Sequence, residues 1–221
     1  MEEKIKVICT QCGAALIPDK ENMIYRCTHC GVAFGSSIIF DRDAVNKARK
    51  ALSFAEFNEA DVWFQCVLML CPDDFEALRG RVLCAGKWCS FMDIKEPFNM
   101  PAVRFARIRD SIDDAIAHAE LSDIGYFENC KKMIDTLELV WNKDVQIKPL
   151  TEKKAQLEEN LKLTPVIKIG DIGYYIVKSS IVSVPAQISP FVNEKNDLLT
   201  KSNNERQAVL DFENEKLQSA K

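Results

Sequence analysis

The sequence predicts a mainly α-helical protein with a small β-rich segment at its N-terminus. Three observations lead there. Apolar residues recur at helical spacing through most of residues 44–141. Residues 5–40 break that pattern with short β-branched runs separated by turn residues. Two Cys-x-x-Cys pairs, Cys9/Cys12 and Cys27/Cys30, lie inside the break.

In the β-rich segment, IKVIC leads into the first cysteine pair, MIYRC into the second, and SSIIF follows. Pro18-Asp19-Lys20-Glu21-Asn22 supplies a turn between them. A structural zinc ion takes four soft or borderline ligands in a tetrahedron, and a two-residue spacer lets one tight turn aim two sulfurs at the same ion. Gly13 and Gly31 follow the pairs directly, where the chain turns back sharply and a Cβ would obstruct it. Fourteen residues separate Cys12 from Cys27, room for a short two-strand excursion.

Residues 1–40 are therefore predicted to form a four-cysteine zinc ribbon that holds one structural Zn²⁺ through Cys9, Cys12, Cys27 and Cys30. Four thiolates leave no open coordination position, which excludes a catalytic zinc. Iron–sulfur ligation uses compressed or asymmetric spacings, and a thioredoxin-like pair needs a βαβ setting that is absent. His29, inside the second pair, is expected to be an exposed residue with no ligand role.

Composition narrows the function classes. Hydrophobic residues make up 47% and charged residues 28%, which suits a soluble globular protein of one large or two small domains. A net charge of −4 disfavours general polyanion binding. Residues 1–40 are also neutral, with Lys4, Lys6, Lys20 and Arg26 offset by Glu2, Glu3, Asp19 and Glu21. The start MEEKIKVICT has no apolar core of a secretory signal, and no run of apolar residues is long enough to span a membrane. Nine cysteines without an export signal fit metal-bound and free thiols in a reducing cytoplasm.

Helices fill residues 41–165. Asp43 is placed to cap Ala44–Phe54, a second helix runs from Asn58 or Glu59 to about Leu70, and Asp73-Asp74 precedes a third over Phe75–Cys89. Phe91–Pro101 reads as an irregular connection. Phe105, Ile108, Ile112, Ala115, Ile116 and Ala119 then share one helical face, and Tyr126, Phe127, Cys130, Met133, Ile134, Leu137 and Trp141 share another. A polar helix over Thr151–Leu163 ends at Thr164-Pro165.

Cys66, Cys71, Cys84, Cys89 and Cys130 are expected to pack in the core, as are Trp63, Trp88 and Trp141. His118 is expected to be partly buried. Arg79, Arg81, Arg104, Arg107 and Arg109, followed by Asp110, Asp113 and Asp114, read as a solvated, salt-bridged face.

Residues 166–190 are rich in β-branched and aromatic side chains, with Gly170 and Gly173 as turn residues, and predict a short β-hairpin. Residues 191–221 are expected to be a polar helix or a disordered tail, because their apolar positions are too sparse for a core of their own.

Residues 44–78 resemble a tetratricopeptide repeat (TPR). "FAEFNEADVWFQCVLMLCPDD" carries most of the likeness, with Ala48, Ala51, Ala55, Phe57, Ala60, Phe64, Val67 and Leu68 at the patterned positions. Over residues 5–90 the chain looks like uncharacterised bacterial proteins that join a transcription-factor-type zinc ribbon to TPR-like helices. That resemblance implies a scaffold that binds a protein partner. Nucleic-acid binding through the ribbon is the alternative. No P-loop, G-x-G-x-x-G, H-E-x-x-H or nucleophile elbow occurs, so no enzyme chemistry is expected.

Overall fold

The computed structural model describes residues 7–19, 21–22, 24–35, 43–94, 100–163 and 172–219. The chain divides into two compact units, residues 1–131 with 209–221, and residues 132–208.

The first unit begins with three short antiparallel strands, β1 (Leu16–Asp19), β2 (Ile24–Cys27) and β3 (Ala33–Gly35), in spatial order β1-β2-β3. Leu16 stands opposite Cys27 and Tyr25 opposite Phe34, so the buried residues share one face. The turn joining β1 to β2 is held by Asp19, whose carboxylate accepts from the Asn22 N–H at 3.2 Å and from Asn22 Nδ2 at 2.9 Å. Those bonds to the charged form hold the Asp19 carboxyl below its usual range. Ser36–Phe40, the expected third β segment, lies outside the described residues.

Helices α1 (Ala44–Ser53), α2 (Phe57–Leu70), α3 (Phe75–Gly86) and α4 (Ala102–His118) follow, each packed on the next. Ala48 and Ala60 are fully buried, which lets α1 and α2 approach closely. The same logic operates at Gly80, where an added Cβ would fall 2.3 Å from the Phe64 ring. Ala55 plays a different part from the one its place in the repeat pattern suggests. It is exposed, with φ +58°, and the N–H groups of Ala55 and Glu56 bond back to Leu52 and Ala51 to close α1. Asp74 caps α3 through its carboxylate, which accepts from the Ala77 N–H at 2.8 Å. Asp43 sits at the N-cap position of α1 without making that bond, and accepts from Asn46 Nδ2 instead.

Two long helices complete the chain, α5 (Leu121–Leu163) and α6 (Ile172–Ser219). In the first unit, Asp123 and Tyr126 of α5 meet Lys216 and Glu213 of α6, so these ends run antiparallel. In the second unit the two helices lie side by side, joined by Lys143–Glu194 and by Lys195 Nζ to Asp144 Oδ1 at 2.6 Å. None of the described helices is long and apolar enough to cross a membrane.

The expected hairpin over residues 166–190 is corrected. Residues 172–190 are the first turns of α6, while 166–171 lie outside the described residues. The reason is a repeat that β-branched composition conceals. Val177, Ile181, Val184, Ile188, Phe191, Lys195, Leu198, Ser202 and Glu205 alternate spacings of four and three, and all are buried or half-buried. Such a period of 3.5 keeps one narrow stripe of a helix covered. Pro185 and Pro190 lie off that stripe and are exposed. Likewise the separate helices expected at 126–141 and 151–163 are one helix, which runs through exposed Pro149.

Candidate metal centre

Each cysteine pair sits in a tight turn of the same construction. Gly13 N–H donates to the Cys9 carbonyl at 2.8 Å and Cys9 N–H to the Ala14 carbonyl at 2.8 Å. In the second turn the matching bonds join Gly31 to Cys27 at 3.0 Å and Cys27 to Val32 at 2.8 Å. Both glycines adopt positive φ, +71° and +77°, yet an added Cβ would meet nothing within 4 Å at either. Backbone conformation, not crowding, is what requires glycine there.

These turns bring four sulfurs together. The Sγ atoms of Cys9, Cys12, Cys27 and Cys30 all lie within 4.8 Å of one another. Cys9 is 3.6 Å from Cys30, and Cys12 is 3.4 Å from Cys27. A tetrahedron with metal–sulfur bonds of about 2.3 Å has edges of about 3.8 Å, so the spacing fits one thiolate-bound ion. It is far too long for disulfides, whose sulfurs sit about 2.05 Å apart. Cys9 and Cys27 are buried, and Cys12 and Cys30 are exposed.

Without a cation, Cys27 and Cys12 hold their protons unequally. The Cys30 backbone N–H bonds Cys27 Sγ and, with help from His29, lowers its pKa to about 6 despite desolvation. At Cys12 the Ala14 N–H acts in the same direction, but desolvation and sharing with the other thiols outweigh it and leave about 12. Like charges this close cannot all form together, and a bound cation removes that obstacle.

The sequence missed how this site is seated. Val7, Cys9, Leu16 and Cys27 form one buried cluster with Met69 from the last turn of α2. Ile8 N–H also donates to the Met69 carbonyl at 3.1 Å, and Thr10 Oγ1 reaches Gln65 Oε1 at 3.5 Å. The ribbon and the helices therefore share a core. The only sequence sign was Met69 itself, one of four consecutive apolar residues, Val67–Leu70, at the end of α2.

Other expected positions divide. His29 is exposed, as read. Cys66, Cys84 and Cys130 are buried, whereas Cys71 is exposed and Cys89 half-buried. Trp63, Trp88 and Trp141 are half-buried rather than core, and Trp63 lies under Lys47 Nζ at 4.6 Å. His118 is exposed, its Nδ1 2.8 Å from the Asp114 carbonyl. Arg81 bridges Asp61 at 3.2 Å and Asp114 at 2.8 Å, as a salt-bridged face should. Arg79 departs from it and pairs in the interior with Glu213.

No family model, no curated protein and no solved structure matches this chain.

Proposed function

We propose that this chain is a non-enzymatic, cytoplasmic adaptor that carries one structural Zn²⁺ on Cys9, Cys12, Cys27 and Cys30 and binds a protein partner through its TPR-like helices. The observation that carries the reading is the convergence of the four sulfurs on a ribbon that shares a core with α2. Bound there, zinc supplies folding free energy and no reactive position, since four thiolates saturate it. The ribbon then serves as a rigid extension of the helical surface.

Two measurements test this. Native mass spectrometry should find one zinc per chain, and Cys9→Ser or Cys27→Ser should abolish it; a full zinc content in either variant would refute the ligand set. Cross-linking carried out in high-salt buffer should still capture a protein partner. A mobility shift with nucleic acid that weakens steeply as salt rises would instead overturn the adaptor reading.

A further inference from the structure

The first cysteine turn has an outer side that walls a groove. Two hollows, of about 320 and 390 Å³, open between this turn and helices α2–α4, and Thr10, Arg81 and Asp114 line both. The first is bounded by Ile8, Leu68, Pro72 and Leu78, with the Cys9–Gly13 turn along one side. The second passes Phe57, Cys84 and Ala85 toward Lys87 and Arg107. Each is in the size range of ordinary ligand clefts, and the first has the apolar lining that anchors a side chain.

Charge decides what fits. The cations Arg81, Lys87 and Arg107 are matched by Asp61, Asp110 and Asp114. Arg81 is neutralised from both sides by Asp61 and Asp114. A polyanion or a basic tail would therefore meet as much repulsion as attraction. An uncharged backbone meets hydrogen-bonding groups instead, from Thr10 and Gln11 in the first hollow to Asn58 and Ser111 in the second.

We propose that this groove binds an extended, uncharged peptide segment of a partner protein, lodging one bulky aliphatic side chain against Leu68 and Leu78, and that binding requires the metal. The proposal rests on the adaptor reading and names its occupant. Metal dependence follows from construction. Thr10, Gln11, Cys12 and Gly13 form one wall, and that turn is tied to the ribbon through the sulfurs at its ends.

The test uses the zinc-loaded full chain and short capped peptides of Ser and Asn around a central Leu. Amide NMR shifts on titration should map to Thr10, Gly13, Leu78, Arg81 and Ser111. Replacing the central Leu by Ala should weaken binding about ten- to hundredfold, the loss of one buried side chain. Flanking Asp or Lys should weaken it as well. Ser111→Arg should reduce affinity at unchanged zinc content, and chelation should abolish the shifts. Shifts on another face would overturn the groove while leaving the adaptor reading intact. An absence of binding by every peptide would also overturn the groove, with the adaptor reading then decided by its own cross-linking result. Unchanged affinity after chelation would overturn the metal requirement, and tighter binding of the Asp- or Lys-flanked peptide would overturn the uncharged occupant.

Discussion

Met69→Ala tests whether ribbon and helices are one cooperative structure. Met69 is 1% exposed and packs among Val7, Cys9, Leu16 and Cys27. Truncating a buried methionine to alanine costs about 2–5 kcal/mol, because apolar contacts vanish and the cavity collapses only in part. The Ile8–Met69 hydrogen bond is backbone to backbone and is kept, so the loss isolates packing. Amide exchange of the zinc-loaded protein is the assay. At about 2–5 kcal/mol, protection of Leu16, Cys27 and the last turn of α2 should fall together by about 30- to 4,600-fold. Val184→Ala, in the other compact unit, is the control and should leave those amides alone. If the α2 amides lose protection while Leu16 and Cys27 change less than about threefold, the shared core is wrong and the ribbon is an independent knob.

The remaining predictions are shorter. Ala55→Gly should stabilise by about 1 kcal/mol and raise Tm by about 2–4 °C, because glycine relieves the left-handed backbone at φ +58°. In a thiol titration of the zinc-loaded protein, exposed Cys71 should react first, and a chelator should release Cys9, Cys12, Cys27 and Cys30 while Cys66, Cys84 and Cys130 wait for unfolding. Burial pushes the Cys84 thiol up to about 12 from an ordinary value of 9.0. The unfolded chain alone ionises between those values, so stability is full below pH 9 and falls as pH rises toward 12, and Cys84→Ala should flatten that slope in denaturant titrations. Glu213→Ala should cost about 3–5 kcal/mol by stranding Arg79, whereas the double change Arg79→Met with Glu213→Leu should recover most of it.

What the sequence revealed follows the range of the interactions concerned. The cysteine cluster was legible because Cys-x-x-Cys spacing is local chemistry, and the faces of α4 and the start of α5 because amphipathic period is local too. Phe105, Ile108, Ile112, Tyr126, Phe127 and Cys130 are all buried where the period placed them. Composition misled where two signals competed. In residues 172–190 the β-branched residues and prolines suggested a hairpin, while the alternating spacing of Val177, Ile181, Val184 and Ile188 carried the coiled-coil period that prevailed. Met69 could not be recognised as the seat of the ribbon, because a long-range contact leaves no periodic trace in either partner.

The last turns of α6 show why sparse apolar positions do not imply a free tail. A segment that closes an existing core needs only enough apolar surface to cover it. Val209 is fully buried, and the Phe212 ring lies 5.2 Å from Tyr126 and 6.0 Å from Phe75. Between them Glu213 accepts from Arg79 Nη2 at 2.9 Å and from the Tyr126 hydroxyl at 2.6 Å. Burial raises the Tyr126 pKa, so its proton stays in place to donate. Apolar contacts alone would tolerate a slip of one turn, about 5.4 Å, along this stripe. A slip would leave Arg79 buried without its carboxylate, so the ion pair fixes the register that the small apolar contact leaves loose.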